Sequence, residues 1–349
     1  MSQHSVSEEH VEKPDISQPV QPCVRQLIQQ IKQLHSGLRD CDPVQYSSTL
    51  SQALKSVPMS HSRTLRGHCA AVYACAWSSD SQRLASVGMD NNLIVWNPLK
   101  NSKLQVLPIQ QPYTMSVRFA PDSSILAYGG LDCSVYLSNS TTPLYSHQGY
   151  VSCVNFLSSN KLVSTSADKT ALVFDTQKNV LEPVFAKHFK DVMNVDVLNV
   201  NEFATASCDG FVRIFDLRSQ QQVQIFSTLH ADANCVKFHP NKQQVGVCTS
   251  ANKALLFDRR TEHLLVQYQP EVQKSYLKQL QELKSLAFSK SGRIMFACGE
   301  ANVYAFDVLF GTFLGAVGEH ETQVTCVEVS PDGNALASAS WDTLVKIWA

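Results

Sequence analysis

The sequence predicts an all-β fold in which seven four-stranded units close into a β-propeller, preceded by an N-terminal coiled-coil α-helix. Three observations carry this expectation. An apolar–aromatic–Asp/Asn tripeptide recurs at Val95–Asn97, Val173–Asp175, Ile214–Asp216, Leu256–Asp258 and Ala305–Asp307, and Ile347–Ala349 is its last copy. The aromatics stand at 96, 174, 215, 257, 306 and 348, so the gaps are 78, 41, 42, 49 and 42. The gap of 78 is two periods with a disguised copy at Leu137-Ser138-Asn139, which makes seven units in all. Second, runs of period-two alternation lie some 20 residues before the aromatics, at Val72, Met115, Val151, Cys235, Leu286 and Val324. Each passes into a Pro/Asp/Gly/Ser turn, the pattern of a hairpin. Third, Val24, Ile31 and Leu38 interleave with Leu27, Leu34 and Cys41 at alternating steps of three and four, the seam of a coiled coil.

In chain order, residues 1–22 are polar with Pro14, Pro19 and Pro22, and offer too little to bury to fold. Residues 23–42 form the helix, which Asp42-Pro43 stops. A solitary helix this short, carrying Gly37, is marginal in water and needs a second surface for its seam. Residues 43–62 are a Ser-rich linker, and residues 63–349 are the propeller. A period of about 40–45 residues with four strands per unit marks WD-type repeats. A strand from around Val57–Leu65 is expected to pair beside the C-terminal strands and so remove the exposed sheet edges. Glycine is scarce for so many turns, at 14, so Asn, Asp and Ser are expected to carry them. The segment Glu271–Glu282 explains the gap of 49 and reads as a short surface helix.

Composition narrows the function. Lys and Arg number 29 against 30 Asp and Glu, a net charge of −1, so the basic excess of a nucleic-acid binder is missing. The 11 Cys are dispersed without a CxxC pair, which argues for reduced packing thiols in an intracellular protein. The N-terminus lacks a basic-then-apolar leader, there is no apolar run of about 18 residues, and the ending LVKIWA has no prenylation Cys. No phosphate-binding loop, GxGxxG turn or zinc spacing occurs, so neither cofactor nor metal is expected.

Each regular unit also carries a His before its first run and an Asp six residues before its aromatic. The sets are His68/Asp90/Trp96, His147/Asp168/Phe174, His188/Asp209/Phe215 and His320/Asp342/Trp348, with Ser86 and Ser338 a few residues before their Asp. A Ser-His-Asp catalytic triad is one reading. A triad would occur once, whereas this set recurs at a fixed period, so the His is read as a buried link between a turn Asp and a strand Ser. Ala251 stands where His230 should find an Asp, and the sixth unit has Glu300 and no His. Both units are expected to be softer.

The helix, the junction Arg63–His68 (RTLRGH), the seven units and the ending Leu344–Trp348 together resemble the beta subunits of heterotrimeric G proteins. Local matches are GGLD at Gly129–Asp132, HxGYxSC at His147–Cys153, DVM at Asp191–Met193, FSKSGR at Phe288–Arg293 and SWDxxxKIW at Ser340–Trp348. The resemblance covers about residues 24–349. It implies a non-catalytic signal transducer without cofactor. The helix (Val24, Leu27, Ile31, Leu34, Leu38) would hold a gamma subunit, and the narrow propeller face would bind a GDP-bound alpha subunit and, after its release, effectors. The face residues it implies are Tyr73, Ile94, Lys103, Met115, Leu131, Tyr150, Asp191, Met193, Asp232, Asn234 and Trp341. Six positions depart from the family: Ala71 and Asn92 replace Lys, Tyr113 replaces Trp, Cys133 replaces Asn, Ser250 replaces Asp and Gln323 replaces Arg. Membrane location would come only from lipid on those partners, at the inner face of the plasma membrane. The alternative is a generic WD-repeat scaffold in another intracellular complex, which needs the ring but no helical partner.

Overall fold

A computed structural model describes residues 54, 56–109, 113–140, 142–178, 180–270 and 282–349. The tail 1–22, the helix 23–42, most of the linker and residues 271–281 of the insertion lie outside the described residues. Every regular element described is a strand, and the strands form seven four-stranded antiparallel sheets.

Strand β1 is His61–Arg66. Blade 1 follows as β2 (Val72–Trp77), β3 (Leu84–Gly88), β4 (Asn92–Asn97) and β5 (Ser102–Pro108). Blade 2 is β6 (Thr114–Phe119), β7 (Leu126–Gly130), β8 (Ser134–Leu137) and the two-residue β9 (Tyr145–Ser146). Blade 3 is β10 (Val151–Ser158), β11 (Lys161–Ser166), β12 (Ala171–Asp175) and β13 (Val180–Phe185). Blade 4 is β14 (Val192–Val197), β15 (Glu202–Ser207), β16 (Phe211–Asp216) and β17 (Gln221–Ser227). Blade 5 is β18 (Ala233–Phe238), β19 (Gln244–Thr249), β20 (Ala254–Asp258) and β21 (Leu264–Tyr268). Blade 6 is β22 (Leu283–Phe288), β23 (Ile294–Gly299), β24 (Asn302–Asp307) and β25 (Thr312–Glu319). Blade 7 takes β26 (Val324–Val329), β27 (Leu336–Ser340) and β28 (Leu344–Trp348) from the C-terminus and β1 from the other end.

The expected closure is present. Strand β1 pairs antiparallel with β28, placing Thr64 opposite Lys346 and Leu65 opposite Val345. Ser60 and Ala349 exchange both backbone hydrogen bonds, at 3.0 and 3.1 Å. Leu65 is buried with Val345 and Ile347, so the closing strand is held by side chains as well as by its ladder.

The recurring aromatic has one structural address. Trp96 pairs with Leu84, Phe174 with Leu162, Phe215 with Phe203, Phe257 with Val245, Phe306 with Met295 and Trp348 with Leu336. In blade 2, Ser138 stands opposite Leu126: its amide donates to the Leu126 carbonyl at 2.8 Å and its hydroxyl accepts from the Leu126 amide at 3.1 Å. The disguised copy is therefore real, with a hydroxyl where the other blades put a ring.

The innermost strands are laced together by a repeating contact. The third residue of one inner strand reaches the backbone of the fourth residue of the next. Ser116 Oγ accepts from Val154 N at 3.0 Å, Asn194 Oδ1 from Val236 N at 3.3 Å and Ser285 Oγ from Val327 N at 3.3 Å. Two residues further along, Asp196 accepts from Phe238 N at 2.8 Å and Glu328 from Trp77 N at 3.0 Å. Asp196 also holds Lys237 at 2.8 Å, and Glu328 pairs with Arg118. These links satisfy inner-strand groups that would otherwise be buried without partners.

The turn between the second and third strands places one residue at positive φ in all seven blades: Asn91, Cys133, Lys169, Gly210, Asn252, Glu300 (at only φ 20°) and Thr343. Asn takes two of these positions, as expected. The Lys, Cys and β-branched Thr were not foreseen, and Thr343 at φ 69° is the most strained of them.

Candidate docking face and central mouth

The His sets are scaffolding. In blade 1, His68 Nδ1 donates to Asp90 at 2.9 Å, Nε2 accepts from Ser86 Oγ at 2.7 Å, and Trp96 Nε1 donates to that hydroxyl at 2.7 Å. The carboxylate can only accept, so it fixes the proton on Nδ1. Blade 7 repeats the chain through His320, Asp342, Ser338 and Trp348. Blades 3 and 4 use His147/Asp168/Ser164 and His188/Asp209/Thr205, with Phe174 and Phe215 unable to donate. Burial lowers the pKa of His68, His147 and His188 despite their Asp partners, so the rings are held neutral.

Where the set is broken, it is broken without an orphan. Val247 and Ala297 are buried at the strand position of Ser86, so blades 5 and 6 replace the polar chain by apolar packing. Such a double replacement is close to neutral, which removes the reason for softness there. His230 is exposed. Blade 2 substitutes Tyr136, whose hydroxyl donates to Asp132 at 2.7 Å and whose ring stacks on Tyr128 at 5.4 Å.

These Asp turns define one face, since each accepts an amide from the loop that enters its own blade's inner strand, at Cys69, Gln148, Phe189 and Glu321. A second repeating bond organises that rim. The residue after the second strand donates its amide to the carbonyl just before the first: Met89 to Ala71, Leu131 to Tyr113, Ala167 to Tyr150, Cys208 to Asp191, Ser250 to Asp232 and Trp341 to Gln323. Five of the family-implied face residues and four of the departed positions (Ala71, Tyr113, Ser250, Gln323) fall on this single bond. Asn92, the first residue of β4, and Cys133, in the turn before β8, lie beside it; Asn92 Nδ2 donates to Asp90 O at 3.0 Å and Cys133 Sγ to Leu131 O at 3.6 Å.

Inside the rim, Tyr73, Met115, Met193, Asn234 and Trp341, with Gln323, line the mouth of a central cavity of about 250 Å3. Tyr73, Met115, Met193 and Asn234 are all the second residue of an inner strand. Tyr150 joins this group across a blade boundary: its hydroxyl donates to Asp191 at 3.2 Å and lies 3.8 Å from Met193 Sδ. Burial, with Asp191 beside it, pushes the Tyr150 hydroxyl up to about 12, so it stays a donor at neutral pH. Leu131 and Trp341 are each 47% exposed and are not core residues.

One assignment is corrected. Ile94 is 1% exposed and packs with Leu65, Val72, Trp96 and Val345 in the core shared by blades 1 and 7, because its side of β4 faces the neighbouring blade. It is not available to a partner. Asn234 lines the mouth, but its amide donates to Leu283 O at 2.8 Å and ties blade 5 to blade 6. Lys103 is exposed on the outer strand β5, away from the mouth, with its amine 3.3 Å from Gly67 O and 5.7 Å above the Trp96 ring. The rim also exposes residues not anticipated from sequence: Met89, Leu229 and Phe189, the last 75% exposed. Phe189 directly follows His188, the slot of Cys69, Gln148 and Glu321 elsewhere, and Arg213 lies 5.8 Å over its ring. That recurring slot was the available signal.

A ring of seven four-stranded blades with buried His–Asp–Ser/Thr links and an aromatic-bearing rim defines a WD-repeat propeller. Comparison with known proteins agrees. The family model described as G protein beta WD-40 repeat protein matches residues 19–349. The chain belongs to that family. It is 32% identical to the guanine nucleotide-binding protein subunit beta of Arabidopsis thaliana, across 93% of this chain and 94% of the relative. It is also 32% identical to that of Oryza sativa subsp. japonica, with 93% of each covered, and 33% identical to the subunit beta-1 of Nicotiana tabacum, with 82% of each covered.

Proposed function

We propose that this chain is a non-catalytic signal transducer that holds a gamma-type subunit through residues 23–42 and binds a GDP-bound alpha subunit, or effectors, on the rim around the central mouth. The observation that carries this reading is the rim itself. Tyr73, Met115, Leu131, Tyr150, Met193 and Trp341 present large apolar and aromatic groups, and Asp191 and Asp232 sit among them. Aromatic anchors among orienting charges are what a docking surface needs. The ladders and interblade links make the rim a pre-organised plate, so affinity would follow the nucleotide-dependent shape of the alpha subunit. The two missing Lys at Ala71 and Asn92 remove charge-assisted contacts worth about 1.5–3 kcal/mol each when desolvated, which suits the face to a divergent alpha subunit or to fewer effectors. The chain would act at the inner face of the plasma membrane, held there by lipid on its partners.

The test is capture from the protein's own cells with GDP and then with an activating nucleotide analogue. An alpha subunit retained with GDP and released by the analogue supports the reading. Trp341→Ala should weaken that capture at least tenfold, the range of a hot-spot truncation, while leaving the gamma-type partner bound. Equal loss of both partners, or full function of residues 60–349 alone, favours the generic scaffold.

A further inference from the structure

We infer that Cys75 and Cys326 form a redox-modifiable dithiol, oxidised by a small peroxide to a disulfide that cross-links blade 7 to blade 1 at the seam where the ring closes. The repeat itself singles this pair out. Cys326 is the third residue of β26, the position from which Ser116, Asn194 and Ser285 each reach the next blade, and its thiol donates to Cys75 O at 3.7 Å. Cys75 is the fourth residue of β2. At that place the other six inner strands carry Val117, Val154, Val195, Val236, Leu286 and Val327. Blade 1 alone puts a thiol there, and it is the blade that meets Cys326.

Both residues line the central cavity, whose volume of about 250 Å3 is ample for a peroxide molecule that needs little more room than a water. The two thiols also hydrogen-bond each other, and this contact divides their chemistry. It pulls the Cys326 thiol below its usual range against burial, with Glu328 opposing and Arg118 assisting. The same contact, with burial, drives the Cys75 thiol well up. Cys326 is therefore the nucleophile and Cys75 the resolving thiol.

The steps balance. The Cys326 thiolate attacks one oxygen of hydrogen peroxide; an S–O bond forms, the O–O bond breaks, and the departing hydroxide takes up a proton as water. The Cys75 sulfur then attacks the Cys326 sulfenic acid. An S–S bond forms, the S–O bond breaks, and the thiol proton leaves with the hydroxyl as a second water. Two electrons pass from the two thiols to one peroxide. The product joins residues 251 apart in sequence, so it holds the ring closed independently of β1.

The experiment is peptide mapping without reduction, on the full chain purified with any partner it carries, after graded hydrogen peroxide and alkylation of remaining thiols. The expected product links the tryptic peptides 67–83 and 294–346 and is two hydrogens lighter than their sum. Tandem fragmentation assigns the link to Cys75 rather than Cys69 and to Cys326 rather than Cys298. The melting temperature should rise on oxidation and return with dithiothreitol. Cys75→Ala should leave a sulfenic acid on Cys326 that dimedone traps, whereas Cys326→Ala should leave Cys75 reduced. Unlinked peptides at a dose that already oxidises exposed Cys69, or linkage of Cys326 to Cys153 or Cys235 instead, would overturn the assignment.

Discussion

Replacing Asp342 by Ala separates scaffold from catalyst most sharply. The carboxylate accepts from His320 Nδ1 at 2.7 Å and Glu321 N at 3.2 Å through one oxygen, and from Leu344 N at 3.0 Å through the other. The His320 and Asp342 side chains are 0% and 3% exposed. Truncation leaves the His320 N–H without an acceptor where water does not reach, while the two backbone amides lie nearer the rim and can be hydrated. A buried hydrogen bond to a charged acceptor is worth about 1.5–3 kcal/mol, and the amides add a fraction, so the expected loss is about 2–3 kcal/mol. At about 2 °C per kcal/mol for a ring of this size, the melting temperature should fall by roughly 4–6 °C. The assay is thermal unfolding followed by Trp fluorescence. Trp348 reports on the same site, because its Nε1 donates to Ser338 at 2.9 Å and Ser338 bonds His320. Asp342→Asn, which keeps one acceptor oxygen, should lose less. An unchanged melting temperature together with loss of some turnover would refute the scaffold argument and revive the triad.

Acid lability should begin near the ordinary histidine range. Burial lowers His68, His147, His188 and His239 below 6.5, so their contribution is full above that value and is lost as pH falls through the folded values, because only the unfolded chain takes up protons first. Asp90, Asp168, Asp209 and Asp342 are held below 3.8, burial opposing and the hydrogen bonds they accept prevailing, so a second loss follows below about pH 4. Urea midpoints measured from about pH 7.5 downward should be flat and then fall in these two stages; a midpoint that rises on acidification contradicts both signs. Ile94→Ala should cost about 2–4 kcal/mol of stability yet leave alpha-subunit affinity per folded molecule unchanged, as calorimetry and binding together would show. Thr343→Asn, which relieves a β-branched residue at φ 69°, should stabilise by about 0.5–1 kcal/mol in denaturant unfolding, and a loss instead would mean that the Thr side chain is needed there.

The ring was legible because a repeat writes the same physical problem seven times. Each blade must place a bulky residue opposite the start of its second strand, and the 42-residue beat of aromatics records that requirement even where Ser138 takes the slot. The His–Asp sets were legible for the same reason. The proposed docking face was only partly so. Period-two alternation marks which residues share a side of a strand, but not which side of β4 turns toward a neighbouring blade, and Ile94 was misassigned on that account. Phe189 stood in a recurring loop slot whose meaning appears only once His188 and Asp209 are bonded.

Local sequence thus determined the strands, their number, their order and the identity of the buried polar links, because these depend on alternation, turn chemistry and hydrogen-bonding capacity read over a few residues. The register of β1 on β28, the rim bond that recurs in six blades, and the meeting of Cys75 with Cys326 were decided by tertiary structure alone. The first and last join groups from opposite ends of the propeller's sequence, through the sheet of blade 7 and its packing on blade 1, while the rim bond lies within each blade's first hairpin and gains its meaning from the ring that sets the six side by side.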